Sequence, residues 1–113
     1  MTYIIILNYM FRYKIFVGPF TEEPVNKGTY EAETEEEIID LAQSMAINLY
    51  QELAIANNWM TWEDCLVEAE KQINVKDFDS YAQYGETLEE LTDEFFLDCL
   101  DERINYYAEL EKS

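Results

Sequence analysis

The chain has 113 residues, of which 25 are Asp or Glu and 7 are Lys or Arg, so its formal net charge at pH 7 is −18. Hydrophobic residues make up 49% and aromatic residues 15% of the sequence, far more than a disordered acidic tail contains. No His and only three Gly are present, so the commonest general base and any glycine-rich phosphate loop are missing. We therefore expect a single folded domain over residues 1–113 that is not an enzyme and has no catalytic residue and no cofactor.

The uncharged N-terminal stretch, residues 1–11, is too short for a membrane helix, which needs about 20 apolar residues. It also lacks the preceding basic residues and the small-residue cleavage site of a signal peptide. We expect a cytoplasmic protein with no membrane partner. Cys65 and Cys99 lie in apolar helical patterns without metal or redox spacing, which predicts free, buried thiols in a reducing compartment.

Residues 1–33 predict a β-rich platform. Residues 3–7 form a continuous apolar, β-branched run, and apolar side chains alternate from Phe11 to Val17, which predicts two strands or one long strand bent near Asn8. Gly18-Pro19 predicts the end of the second strand, residues 24–28 predict a loop, and residues 29–33 predict a short third strand beside the second. This pattern indicates a small N-terminal antiparallel sheet of two to three strands.

Residues 34–113 are predicted to be helical and strongly acidic. Thr34, Thr61 and Thr87 are each followed three residues later by an acid, which is the pattern of a helix N-cap. The helices are predicted over residues 35–56, 62–73 and 88–111, with residues 75–84 as a connector that holds at most one helical turn. The apolar stripe of the third helix is Leu88, Leu91, Phe95, Cys99, Tyr106 and Leu110. The predicted fold class is α+β, with the sheet packed against about three α-helices.

Metal binding has one candidate in the sequence, the pair Asp77 and Asp79. Two acids one residue apart are a weak signal in so acidic a chain, and there is no glycine at the turn position of an EF-hand loop. A turn or helix cap explains this pair better, so we predict no metal site.

Acidic residues are arranged most regularly on the predicted third helix. At about 100° per residue, one side of that helix carries Glu90, Glu94, Asp98, Asp101, Glu102 and Glu109. Ten acids between residues 86 and 111 give about one charge per 4 Å of helix, close to the one per 3.4 Å of a DNA strand. Neighbouring acids on a helix repel each other, and Lys or Arg residues normally relieve this repulsion. Here Arg103 and Lys112 are the only bases after residue 77. Glu35 and Glu36 extend the acidic surface at the junction of sheet and helix.

The size, the charge and this acidic helix resemble the DNA-mimic inhibitors of phages and mobile elements, a class that includes anti-restriction and anti-CRISPR proteins. The resemblance implies a non-enzymatic inhibitor, acting in the host cytoplasm as a monomer or homodimer. Its partner would be a basic nucleic-acid-binding nuclease, a Cas effector or a restriction enzyme, and it would not bind nucleic acid itself. Tyr81, Tyr84 and Tyr107 are candidate aromatic anchors at the interface.

Two other classes of function fit the sequence. An immunity protein or antitoxin that neutralises a basic toxin would use the same electrostatic attraction toward a different partner. A phage protein that assembles through exposed edge strands near the N-terminus would instead use the sheet. An acidic surface that only maintains solubility is a further alternative, although a charge of −18 exceeds the roughly 2 to 8 that solubility needs.

Overall fold

The computed structural model describes residues 10–111, and the predicted strand over residues 3–7 lies outside this range. In chain order, the elements are β1 (Phe11–Pro19), β2 (Val25–Ala32), α1 (Glu35–Asn57), α2 (Trp62–Gln72), a 3₁₀ turn (Val75–Asp77), α3 (Tyr81–Arg103) and β3 (Ile104–Leu110). The predicted α+β class is confirmed. None of these helices is long and apolar enough to cross a membrane.

The three strands form an antiparallel sheet in the order β2-β1-β3. In the central strand, Tyr13, Ile15 and Val17 are buried while Arg12 and Lys14 are exposed. This alternation follows from the geometry of a strand, whose successive side chains point to opposite faces. The predicted strand from Phe11 to Val17 is therefore confirmed, and its antiparallel pairing with the following strand is confirmed as well.

The position of β3 corrects the prediction of an only N-terminal sheet. The third helix was predicted to run to residue 111, but it ends at Arg103, and residues 104–110 pair with β1 as a strand. Aromatic and β-branched side chains are well suited to this position. Tyr107 stacks on Phe16 of β1 with ring centroids 5.0 Å apart, and Gln43 of α1 donates a hydrogen bond to the Tyr106 hydroxyl.

The predicted loop over residues 24–28 is mostly strand. β2 begins at Val25, and the turn residues Asn26 and Gly28 form an irregularity in its pairing with β1, between Lys14 and Phe16. Gly28 has φ +116°, a conformation that glycine adopts without steric cost, and its amide donates to the Asn26 side chain. The turn signal in the sequence thus marks a bulge instead of a loop.

The end of β1 also differs from the prediction. The strand continues through Gly18 to Pro19, which pairs with Ile104 of β3. A Cβ atom at position 18 would lie 3.0 Å from the Cα of Pro24, so any other residue would push the returning chain away. The glycine permits close approach of the returning chain and does not break the strand.

Helices α1 and α2 lie where the sequence places them, within one residue at each end. The Thr34 hydroxyl accepts a hydrogen bond from the Glu37 amide at the start of α1, and Asn58 (φ 60°) ends that helix in the left-handed conformation. Thr61 and Asp64 form a reciprocal capping box at the start of α2. Two of the three predicted threonine caps are confirmed.

The third threonine cap is wrong. Thr87 lies inside α3, which begins at Tyr81 and is capped by Ser80, whose hydroxyl accepts from the Gln83 amide. The Gln83 side chain reaches back to accept from the Asp79 amide, so the pattern Ser-x-x-Gln acts as the cap. The helical turn allowed in the connector is the 3₁₀ turn at residues 75–77.

The buried face of α3 is displaced by one residue from the predicted stripe. Thr92, Phe96 and Leu100 are the fully buried residues of this helix, while the predicted Phe95 and Cys99 are half-buried. Position 96 lies about 40° from position 92 and position 100 about 80° away, so the three form one narrow face. The opposite side of α3 is therefore left to solvent.

The chain forms two compact units. Among the described residues, one unit contains the three strands and α1 as far as Leu49, and its buried side chains include Ile15, Val17, Ile38 and Ile104. The other unit contains residues 50–103, in which α2 packs against α3 around Tyr50, Cys65, Phe96 and Leu100.

Candidate acidic interaction surface

One unbroken line of acids follows the exposed side of α3. Positions four apart on a helix are neighbours, separated by about 6 Å along the axis and about 40° around it. Every such position from 86 to 102 is acidic and exposed, and we call this set the carboxylate row: Glu86, Glu90, Glu94, Asp98 and Glu102. The row is about 24 Å long and winds about 160° around the helix from Glu86 to Glu102.

A second, incomplete line of acids lies beside the carboxylate row. It consists of Glu89, Asp93 and Asp101, which are also exposed. Together the two lines place eight acids within about 24 Å of helix, or one per roughly 3 to 3.5 Å. This linear charge density equals that of one DNA strand, which carries one charge per about 3.4 Å of axis.

The predicted site residues divide into two groups. Glu90, Glu94, Asp98, Asp101 and Glu102 lie together on α3, as predicted. The other three belong to the sheet-containing unit: Glu109 lies on β3 and not on a helix, and Glu35 and Glu36 lie in the first turn of α1. All eight are exposed.

Three further acids of this helix, Glu86, Glu89 and Asp93, were not among the predicted site residues. Glu89 and Asp93 lie inside the predicted helix of residues 88–111 but off the side chosen for the site, and Glu86 joins the helix because α3 begins at Tyr81. The available signal was Ser80 followed by Gln83, which is a capping-box pattern that the threonine at position 87 obscured.

No Lys or Arg lies between residues 77 and 102, so α3 has no internal base to pair with its acids before Arg103. The Arg103 guanidinium lies over the Trp59 ring, with 5.2 Å from its central carbon to the ring centroid. In the same unit, Lys71 pairs with Glu68 of its own helix at 3.0 Å. Residues 50–103 contain fifteen acids and three bases, a net charge of −12.

The three candidate aromatic anchors differ in their surroundings. Tyr81 is 83% exposed at the start of α3. Tyr84 is half-buried and packs edge to face on Phe78 at 5.7 Å. Tyr107 belongs to β3, where it stacks on Phe16. Of the three, Tyr81 has the most surface available to a partner.

A groove of about 260 Å³ lies between α2 and α3, beside the carboxylate row. Its lining residues are Met60, Glu68, Gln72, Phe95, Asp98 and Cys99. The two acids come from different helices, Glu68 from α2 and Asp98 from α3, and the apolar residues lie among them. This groove joins an apolar surface to the middle of the carboxylate row.

The two cysteines lie close together, and Cys99 also lines this groove. Cys65 is fully buried and Cys99 is half-buried, and neither forms a disulfide. Burial, together with the neighbouring Cys99 thiol, raises the pKa of Cys65 to about 12. The Cys65 thiol is therefore protonated at neutral pH and unreactive, which fits the predicted structural role of this cysteine.

The pair Asp77 and Asp79, the metal candidate of the sequence, is not part of a larger group of possible metal ligands among residues 10–111. Asp77 ends the 3₁₀ turn, and the Asp79 amide is part of the N-terminal cap of α3. Over residues 10–111, no group of three or more His, Cys, Asp or Glu side chains could hold a metal ion.

A search of protein-family models, of curated proteins and of solved structures found no match to this chain.

Proposed function

We propose that this protein is a non-enzymatic inhibitor that presents its α3 carboxylates in place of nucleic-acid phosphates and blocks the nucleic-acid-binding site of a host-defence nuclease. The class of target is a Cas effector or a restriction enzyme. The observation that carries the proposal is the carboxylate row, five exposed acids at every fourth position from Glu86 to Glu102 with no base among them.

Helix stability does not explain this row. Like charges four residues apart destabilise a helix by about 0.2 to 0.5 kcal/mol per pair, and exposed helices normally alternate acids with Lys or Arg. Solubility would be served equally well by acids scattered over the surface. The row and the second line of acids together have the charge density of a DNA strand, which supports a role in binding a groove of Lys and Arg.

Electrostatic attraction is enough to explain the proposed inhibition, and no catalysed reaction is involved. A basic groove attracts the row over long distances, which accelerates encounter and orients the two proteins. On contact, carboxylates replace phosphates as partners for Lys and Arg, and the counterions held by both surfaces are released. The inhibitor then competes directly with nucleic acid for the groove.

The test is a cleavage assay with purified Cas effectors and restriction enzymes, with increasing amounts of this protein. Inhibition should be relieved by raising the concentration of the cleavable substrate DNA, because substrate and inhibitor compete for one groove. The double variant Glu94→Lys/Asp98→Lys should need about 100-fold more protein for half-inhibition, because two attractive contacts become repulsive.

A matched control separates the row from net charge. The variant Glu22→Lys/Glu23→Lys changes the charge by the same amount at exposed positions between β1 and β2. It should inhibit nearly as well as the unchanged protein. Equal loss of inhibition in both variants, or inhibition that DNA does not relieve, would contradict phosphate mimicry by α3.

A further inference from the structure

We propose that the groove between α2 and α3 binds an arginine side chain of the partner protein. This inference rests on the proposed function in one respect, because it takes the partner to be a basic protein. It goes further by naming the residue type recognised and a contact that phosphate mimicry alone does not provide.

The lining of the groove matches both parts of an arginine side chain. Met60, Phe95 and Cys99 provide an apolar surface for the aliphatic stem. Glu68 and Asp98 provide carboxylates from two different helices for the guanidinium group. Arginine fits better than lysine because its guanidinium is planar, is less strongly hydrated and packs on aromatic rings, and one aromatic residue, Phe95, lines the groove.

Lys71 already pairs with one of these acids. Its ammonium lies 3.0 Å from Glu68, but both side chains are about half exposed, and exposed pairs three residues apart on a helix are weak. An incoming guanidinium can therefore replace Lys71 at Glu68. Removing the lysine should strengthen binding, because it removes a competing cation.

The experiment uses the full chain and an arginine side-chain analogue, n-propylguanidinium, at constant ionic strength. Amide NMR shifts of the ¹⁵N-labelled protein should saturate for residues that line the groove. Affinity should be at least about fivefold higher than for guanidinium, which lacks the stem, and Lys71→Gln should raise it about twofold.

A matched pair of variants locates the binding. Glu68→Gln/Asp98→Asn should lower the affinity for n-propylguanidinium about fivefold. Glu86→Gln/Glu90→Gln removes the same charge from the carboxylate row outside the groove and should change it less than twofold. The amide spectra of both variants also report whether each is folded.

Three results would overturn the inference. Shifts spread along the whole of α3, with equal loss in both variants, would indicate a diffuse ion atmosphere. Tighter binding of n-butylammonium would indicate lysine, and equal binding of 1-butanol would indicate a purely apolar partner. Since no nuclease is present, failure here leaves the cleavage assay unaffected, and failure of the cleavage assay leaves binding to the groove measurable.

Discussion

At the scale of single residues, Tyr50 contributes, together with Cys65, to the response of the helical unit to alkaline pH. It is 1% exposed and packs between Trp59 and Phe96, and its hydroxyl donates a hydrogen bond to the Met60 carbonyl. Burial, with smaller contributions from two neighbouring thiols, raises the pKa of Tyr50 from 10.0 to about 12. The unfolded chain therefore loses this proton at lower pH than the folded protein.

The expected consequence is a loss of stability between pH 10 and 12. In that range the folded state binds more protons than the unfolded state, so the free energy of unfolding falls by up to about 1.4 kcal/mol per pH unit for this group. Tyr50→Phe should be about 1 kcal/mol less stable at pH 8, where it lacks only the hydrogen bond. The difference should shrink as pH rises above 10, because Phe does not ionise.

Urea unfolding of both proteins at half-unit steps from pH 8 to 11 measures this effect. The variant keeps a shallower alkaline slope from Cys65, whose pKa is raised from 9.0 to about 12. A stability difference that stays constant over the whole range would show that the Tyr50 hydroxyl ionises equally in both states.

Sequence patterns identified several individual residues correctly, but not Tyr50. The apolar spacing of the sequence places Ile38, Leu41, Ala42, Met45, Leu49, Leu53 and Ala56 on the inner face of α1. Ile38 and Ala42 are fully buried as predicted, but the large side chains Met45, Leu49 and Leu53 are only half-buried. The fully buried positions are spaced by four: Ile38, Ala42, Ala46, Tyr50 and Ala54. Hydrophobicity alone predicts that the larger residues are buried. Small alanine side chains let neighbouring elements pack closely, so the row that contains alanine is the buried one.

At the scale of elements, the change from α3 to β3 shows where local patterns fail. No Gly or Pro follows residue 85, so the sequence has no stop signal at the boundary between Arg103 and Ile104. The strand is stabilised by pairing with β1, about 90 residues earlier in the chain, where Tyr13 pairs with Leu110. Hydrophobic periodicity is a local pattern that covers a few helical turns, so it cannot predict pairing between strands so far apart in the chain. The acidic helix itself was predictable because its acids and apolar residues repeat locally.

Repulsion within the carboxylate row should lower the stability of α3, so replacing one of its acids should raise the free energy of unfolding. Glu94→Lys replaces two repulsions, with Glu90 and with Asp98, by two attractions. The free energy of unfolding should rise by about 1 kcal/mol, and Glu94→Gln should give about half of that gain. Thermal or urea unfolding at low ionic strength measures both variants.

This result would separate stability from function. The same Glu94→Lys change that stabilises the helix contributes to the loss of inhibition expected in the double variant. Opposite effects on stability and inhibition are expected where residues are retained for binding. A less stable Glu94→Lys protein would mean that Glu94 makes a structural contact, and the row would then need another explanation.

At the scale of the whole molecule, negative charge is concentrated in one unit. Residues 50–103 carry a net charge of −12 of the total −18, although they make up fewer than half of the residues. Net charge does not determine a fold, but it weakens the compact state by self-repulsion and strengthens attraction to a basic partner. Salt should therefore act on folding and binding in opposite directions.

The last prediction concerns that opposition. Raising KCl from 0.01 to 0.2 M shortens the screening length from about 30 Å to below 10 Å, so the repulsion among exposed acids weakens. The free energy of unfolding should increase over this range, while the affinity for an inhibited nuclease should fall, as it does for DNA itself. The triple variant Glu86→Gln/Glu90→Gln/Glu94→Gln should show smaller slopes in both measurements. Most of the gain should occur below 0.2 M, since salt effects on apolar burial grow at higher concentrations. Stability that does not change below 0.2 M would show that the acids cost the fold nothing, and the carboxylate row would lose its main argument for selection by a partner.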